Sequence, residues 1–481
     1  MGSMDLSAIF FTALGVYGVA ASVFMIAENR RPQATLAWVL VFISAPGIGL
    51  IIYILFGRGR KAFSRESKLL HQELEHDALP IMSPWRSRQD AEIARVVADL
   101  GVDRRLMMLV RRNSDSSLTS RNRVEILQDA AEFYPRLIED MKAARHSIHH
   151  QYYIWRSDEF CQALKEIMIE RAREGVQVRV LYDPLGSNSM SRAYVRELRA
   201  AGVRVAPTSP LYRLHTIGYR NHRKISVIDG AIAYTGGMNI GQEHIDGGEG
   251  FHRWRDTQSR IVGEAASVLQ SVFIIDWYNA VRENLFSAAY FPEAPAGGDV
   301  PVQILTSGPD SQWAAIRQLY VGMIASAKRR VTIQSPFFIP DPTISEAMKL
   351  AALSGIDVRL MLSGQASGNR LPNWAGNTFL PDLAGAGVRV LLYQGGYLHA
   401  KTISVDGEVC SIGSANIDIR SFSINYELNA VFYDPRLAGR LERDFERDLA
   451  RCAEFDPAEY RRRNVALRFR DSLARLVSPL L

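Results

Sequence analysis

The chain has 481 residues, 47% of them apolar, and a formal net charge of +6. Such a length and apolar share exclude a disordered or fibrous chain and give room for two or three packed domains. Three scattered cysteines, Cys161, Cys410 and Cys452, form neither a disulfide framework nor a metal spacing, which favours a reducing compartment.

Two apolar runs open the chain. Leu6 to Ala27 is 22 residues without a charge, and Leu36 to Phe56 is 21 more. Each is long enough to cross, as a helix, a hydrocarbon layer about 30 Å thick. With only residues 28–35 between them, they predict an N-terminal two-helix transmembrane hairpin over 1–57. A cleaved signal peptide does not fit, because no basic residue precedes the first run and a second run follows at once. Arg30 and Arg31 lie in the hairpin loop, whereas Arg58, Arg60, Lys61, Arg65 and Lys68 follow the second run. The heavier cluster predicts that the chain beyond it is cytoplasmic. That cluster and a pI near 9.1 point to an anionic lipid surface as a partner.

Residues 58–119 are polar and helix-prone, broken at Pro80 and Pro84, and read as a juxtamembrane linker that partly clasps the body. From about 120, amphipathic stretches such as Val124–Ala144 and Phe160–Glu174 alternate with β-branched runs such as Val176–Tyr182, the pattern of an α/β fold. The pattern then repeats. Gly175-Val-Gln-Val-Arg-Val returns as Gly355-Ile-Asp-Val-Arg-Leu, Ala201-Gly-Val-Arg-Val as Ala386-Gly-Val-Arg-Val, and the segment holding Gln151 as one holding Gln334. The chain therefore reads as a tandem duplication, 120–295 and 296–481, joined at the loop Pro292–Pro301 and able to pair about a pseudo-two-fold axis. Stretches 186–191, 246–250 and 363–369, rich in Gly, Ser and Asn, read as loops, one or two of them at a cleft mouth. Val465 to Val477 mixes Leu467, Phe469, Leu473, Leu476 and Val477 with Arg468, Arg470 and Arg475 at helical spacing. Docking on its own lobe is the favoured expectation for this helix, over lying on the membrane.

One phrase occurs in both halves. The first copy is His222, Lys224, Asp229, Gly236-Gly237 and Asn239; the second is His399, Lys401, Asp406, Gly413-Ser414 and Asn416. In both, Lys, Asp and Asn stand two, seven and seventeen residues beyond His. On a strand the His and Lys would share a face, and imidazole, ammonium, small-residue turn and carboxamide together suit a phosphate oxyanion. Phosphodiester exchange needs groups on opposite sides of phosphorus. With two copies, one imidazole attacks phosphorus while the other protonates the leaving alkoxide, and no metal is required. Lys224, Lys401, Asn239 and Asn416 are candidates to hold the phosphoryl oxygens. Asp229 and Asp406 belong to the repeated catalytic phrase, yet seven residues from His on a regular strand is the opposite face. Glu427 and Asp256 are the candidate carboxylates to orient the imidazoles, and Arg420 a candidate phosphate contact; these three are grouped with the asparagines around the substrate.

At these residues the chain resembles the phospholipase D superfamily. Gln151-Tyr-Tyr-Ile-Trp155, Asn221-His222-Arg-Lys224, Trp254-Arg-Asp256-Thr, Gln334-Ser-Pro-Phe-Phe-Ile-Pro340 and Gly413-Ser-Ala-Asn-Ile-Asp-Ile-Arg420 look like bacterial cardiolipin synthases, as does the hairpin. Gly237, where Ser is more usual, and Gln258, where His is typical, depart from the pattern. The resemblance implies two tandem phospholipase D-like lobes sharing one site, a bacterial inner-membrane location and phosphatidylglycerol as substrate. It further implies transfer of a phosphatidyl group between two phosphatidylglycerols to give cardiolipin and glycerol, with His222 as nucleophile and His399 as acid, then base. The near-symmetry of the motifs leaves the choice of nucleophile open, and homo-oligomerisation is likewise open. Hydrolysis or another acceptor alcohol is the alternative. A tethered nuclease is disfavoured, since no aromatics interleave a long basic groove and nucleic acid is not an expected partner.

Overall fold

The computed structural model describes residues 6–27, 32–45, 86–209, 218–248, 250–293, 297–365 and 370–477, with isolated positions between them. Residues 1–63 with 211–218 form one unit and the remainder another.

In the first unit, helix α1 spans Leu6–Ala27 and helix α2 Pro32–Ser44. Tyr17, Met25, Trp38, Phe42 and Tyr53 cluster between them. Helix α2 has 13 residues, shorter than the 21-residue run, most of whose remainder lies outside the described residues, as does the basic cluster after it. Among the described residues no helix is long and apolar enough to cross a membrane; the 22 residues of α1 include several whose side chains are outside that description.

The second unit begins with two helices, α3 (Gln89–Leu100) and α4 (Arg104–Ser114). Their Ile93, Val96, Leu106, Met107 and Val110 enter the core that also holds Leu305, Leu319 and Val331 of the second lobe. Leu118–Thr119 then forms an edge strand of that lobe's sheet. Part of the segment assigned to a linker is thus built into the far lobe, because its apolar stripe finds its partner surface there.

The first lobe's sheet contains β1 (Asn122–Gln128), β2 (Ser147–Tyr152), β3 (Gln177–Tyr182), β4 (Arg204–Pro207), β5 (Ile225–Ile228), β6 (Ile232–Gly236) and β7 (Thr257–Gly263), ordered β1-β7-β6-β5-β2-β3-β4. The second contains β8 (Val302–Ser307), β9 (Arg330–Ser335), β10 (Asp357–Ser363), β11 (Arg389–Tyr393), β12 (Thr402–Val405), β13 (Val409–Gly413) and β14 (Glu427–Phe432), ordered β8-β14-β13-β12-β9-β10-β11. The order is the same in both, so the sequence repeat is a repeat of topology. Between the sheets Ile225, Val227, Ala233 and Ile261 meet Cys410, Ile412, Leu428 and Ala430 in a shared apolar core. Helices α5 (Glu264–Val281) and α6 (Pro435–Leu449) add Ala265, Leu269, Ala438 and Leu441 to it. Alternation along β5, β6, β13 and β14 supplies those inward residues, and this packing fixes one lobe's motif against the other's.

Candidate active site

Each His-x-Lys phrase sits just ahead of a strand, since β5 starts at Ile225 and β12 at Thr402. The expectation that both side chains lie on a regular strand is corrected here. Instead the phrase is extended and hydrogen-bonded to the other lobe. The His222 amide donates to the Tyr426 carbonyl at 2.9 Å, and the His399 amide to the Arg255 carbonyl at 2.7 Å. Each lysine turns back, Lys224 Nζ donating to the His222 carbonyl at 2.8 Å and Lys401 Nζ to that of His399.

The lobes also exchange carboxylates. His222 Nδ1 lies 3.0 Å from Glu427 Oε2, and His399 Nδ1 lies 2.6 Å from Asp256 Oδ2. Both carboxylates are completely buried, and both imidazoles nearly so. Glu427 and Asp256 are therefore histidine-positioning groups, which corrects their grouping with substrate-contacting residues. A carboxylate acceptor at Nδ1 fixes the tautomer and leaves Nε2 as the nitrogen for chemistry. Arg255, on the first lobe, donates to Asp448 of the second at 2.8 Å, and Arg223 Nη1 reaches both oxygens of Asp276 at 2.8 and 2.7 Å. These struts hold the segments flanking each histidine.

Burial pushes the imidazole of His222 down, with Glu427 opposing, and the imidazole of His399 well down, reinforced by Lys401 and Lys224. Burial likewise takes Lys224 down to about 7 and Lys401 down to about 8, against the pull of Glu427 and Asp256. Each lysine and imidazole thus feels charged groups from the opposite lobe, so the four form one electrostatic unit. The carboxylates differ. Burial raises both, but at Glu427 the attraction of His222 and Lys224 and the Ser414 hydroxyl outweighs it and the group ends lowered. At Asp256 burial prevails and the group ends raised.

Asp229 and Asp406 are elsewhere, and their placement among catalytic residues is corrected. Each occupies a turn with φ of 51° and 56° at the far end of the strand that follows the lysine. The Asp229 carboxylate accepts from the amides of Arg145, His146 and Ser147, and that of Asp406 from Lys328, Arg329 and Arg330, all within 2.9 Å. The repeated spacing reflects a repeated turn that ties two strands together.

Asn239 Oδ1 accepts from the Ile154 amide at 3.2 Å. Asn416 is buried, and its Oδ1 has no hydrogen-bond partner among the described residues. Arg420 is half-buried with Nη2 3.5 Å from Asn425. Around His222 the Tyr153 ring lies edge-on at 4.8 Å. Around His399 stand Trp254 at 5.2 Å, Tyr397 at 5.8 Å and His244 at 6.3 Å.

Four contributors escaped sequence reasoning. Asp276 and Asp448 could have been found from the repeat, since both stand near the end of the helix that closes their lobe. His244, buried, with both ring nitrogens unpartnered among the described residues, had no spacing signal, nor had Tyr153. Of the three Gly/Ser/Asn loops, 186–191 packs on Tyr153, where a Cβ at Gly186 would meet the Tyr153 carbonyl at 2.3 Å. Phe251, just after the second loop, lies with its ring tilted against that of Tyr397 at 5.2 Å. The third lies partly outside the described residues.

Residues 137–250 and 320–449 match the family described as cardiolipin synthase, PLD-like domain, and residues 18–58 the phospholipase D-nuclease N-terminal family. The chain is 37% identical over 490 residues to the major cardiolipin synthase of Bacillus subtilis strain 168, covering 99% of this chain and all of that one. It is 40% identical over 489 residues to the cardiolipin synthase of Geobacillus thermodenitrificans, covering 97% and 94%. A crystal structure of phosphatidylserine synthase from Haemophilus influenzae Rd KW20 superposes with a TM-score of 0.60 at 15% identity, covering 78% of this chain and 99% of that one, which shows the shared fold. With paired His-Lys motifs, one from each lobe, and relatives matched from end to end, the chain belongs to the cardiolipin synthase family of phospholipase D-like proteins.

Proposed function

We propose that the protein transfers a phosphatidyl group from one phosphatidylglycerol to the terminal hydroxyl of another, giving cardiolipin and glycerol through a phosphohistidine. The observation that carries this reading is the crossed pair His222–Glu427 and His399–Asp256. It yields two imidazoles of fixed tautomer in one buried, lysine-flanked site.

His222 Nε2 attacks phosphorus as the phosphorus–glycerol oxygen bond breaks, and His399 Nε2 gives its proton to the departing glycerol. The second phosphatidylglycerol then loses its hydroxyl proton to His399, and its oxygen attacks phosphorus and displaces His222. Lys224, Lys401, Asn239 and Asn416 stabilise the charge on the non-bridging oxygens. His222 fits the nucleophile because Glu427 is held ionised and the imidazole neutral, so Nε2 carries a free electron pair. His399 fits the proton carrier. Its protonated form is disfavoured by burial and both lysines until the substrate's phosphate anion enters beside it.

The apolar runs at 6–27 and 36–56 and the phospholipase D-nuclease N-terminal match support a membrane hairpin. The basic cluster after it supports a cytoplasmic body on a bacterial inner membrane. A lipid interface concentrates the acceptor alcohol over water, which favours transfer over hydrolysis. Mass spectrometry of products from reconstituted protein with phosphatidylglycerol tests this: cardiolipin and glycerol are expected, and phosphatidic acid alone would overturn it.

A further inference from the structure

Helix α7 (Val465–Val477) uses both halves of its mixed pattern, on different faces. One face docks it on the second lobe. Asp471, fully buried, receives Asn377, Arg463 and Arg470, and Ala474 packs with Ile339 and Ala375. Arg470 lies over the Trp374 ring at 4.3 Å and Arg475 over Phe379 at 4.2 Å.

The outward face is apolar. Val465, Phe469, Leu473 and Leu476 are 76%, 63%, 48% and 76% exposed, and at 3.6 residues per turn they fall within an arc of about 80°. Four large side chains in one stripe differ from the single exposed leucine that any surface carries. Arg468 and Arg475 border the stripe, and Arg461, whose carbonyl accepts from Arg468, lies on the short helix Pro457–Arg462 just before it. Neighbouring Arg462, Arg463 and Arg470 have carboxylate partners. Among the described residues Arg461, Arg468 and Arg475 make no ion pair, Arg468 reaching only the Arg461 carbonyl.

We infer that α7 is an interfacial anchor: its stripe inserts among the acyl chains of an anionic bilayer while Arg461, Arg468 and Arg475 meet lipid phosphates. An apolar stripe bordered by cations is the pattern that binds a charged lipid surface. A second copy fits it less well. The stripe is four side chains wide, against the roughly 20–30 residues per partner that a stable interface uses, and its basic border would be doubled. The inference rests on the reading that the protein acts on membrane lipids, and adds a contact on the catalytic unit itself.

The test uses the full chain in vesicles, with single cysteines at Phe469→Cys or Leu476→Cys carrying an environment-sensitive fluorophore. Cys452→Ser serves as background, since Cys161 and Cys410 are buried, and Ala193→Cys, exposed on the first lobe, as control. In phosphatidylglycerol vesicles, nitroxide-labelled acyl chains should quench the probes at 469 and 476 but not at 193, with quenching falling in phosphatidylcholine or high salt. Probes at 469 and 476 as unquenched as the control would overturn the inference, as would protection that depends on protein concentration, or equal quenching in neutral lipid. Leu473→Glu with Leu476→Glu should lower transfer in vesicles about tenfold through KM and leave it unchanged on detergent-dispersed lipid; unchanged vesicle activity would also overturn it. If the unmodified chain forms no cardiolipin, the functional reading fails, and the quenching result still decides the anchor.

Discussion

Around His222 the positioning carboxylate is a glutamate, and the turn opposite it supplies a serine: Ser414 Oγ donates to Glu427 Oε2. Around His399 the carboxylate is one carbon shorter, and the corresponding turn residue is Gly237. A Cβ there would stand 2.0 Å from Asp256 Oδ1, so the short carboxylate and the missing side chain go together. Asp256 draws its second hydrogen bond from the Thr257 amide at 2.8 Å. The surroundings diverge too: among the described residues, the rings of Trp254, Tyr397 and His244 stand near His399 and that of Tyr153 near His222. One plan is thus finished in two ways, and the difference bears on the proposed roles of the two histidines. Under the proposed roles, burial keeps His222 neutral while the hydroxyl-supported glutamate holds the tautomer that leaves its Nε2 free to attack, and the raised aspartate would stand behind the histidine that takes up and gives back a proton.

The sharpest way to break this division is to remove each imidazole. His222→Ala and His399→Ala should each lower transfer on phosphatidylglycerol by on the order of 10⁴-fold. On a phosphatidyl ester of p-nitrophenol, which leaves without acid help, His399→Ala should still release one equivalent of nitrophenol in a burst and His222→Ala should not. A burst from His222→Ala would reverse the assignment.

Next come the carboxylates. Glu427→Gln and Asp256→Asn remove the acceptor that sets each tautomer, and both should reduce kcat on the order of 10²- to 10⁴-fold with little change in KM. On the nitrophenyl ester the first loss should persist and the second largely vanish, measured in the same burst assay.

A smaller effect is expected at the turns. Gly237→Ala forces Asp256 away from His399 and should cost about 1–3 kcal/mol of stability by overpacking, visible as a lower denaturation midpoint together with slower transfer. Ser414→Ala removes one hydrogen bond to a charged group, about 1.5–3 kcal/mol, and should slow transfer with the fold retained. Gly237→Ser combined with Asp256→Glu imitates the other half-site and should recover part of the loss.

The mildest effect is in pH. Lys224 and Lys401 hold charge only below about 7 and about 8, and they titrate as an interacting pair. Since the phosphate clamp needs both protonated, kcat/KM should fall as pH rises through 7 to 8, well below the range of an ordinary lysine. The bound phosphate anion should move the fall in kcat to higher pH. An alkaline limb near 10 would show that the ammonium groups are not desolvated.

The duplicated phrase, its chemistry and the α/β repeat were legible because they are local or periodic. Spacing of two, seven and seventeen and strand alternation survive in a one-dimensional string. The same locality misled at Asp229 and Asp406, whose fixed distance from His records a turn repeated in both lobes rather than a shared site. It misled again at residues 89–119, which precede the first lobe in sequence yet complete the core of the second.

By itself the sequence determined that two His-Lys pairs exist, that they sit on equivalent elements of a repeat, and that each carries residues suited to a phosphoryl anion. Which carboxylate serves which histidine was decided only in three dimensions. Glu427 follows the second motif yet orients His222, and Asp256 follows the first yet orients His399, because the apolar faces of the two sheets pack together and carry each strand end across to the other lobe. Such contacts, set by burial over 205 and 143 residues of separation, leave no spacing in the string, since nothing local constrains them.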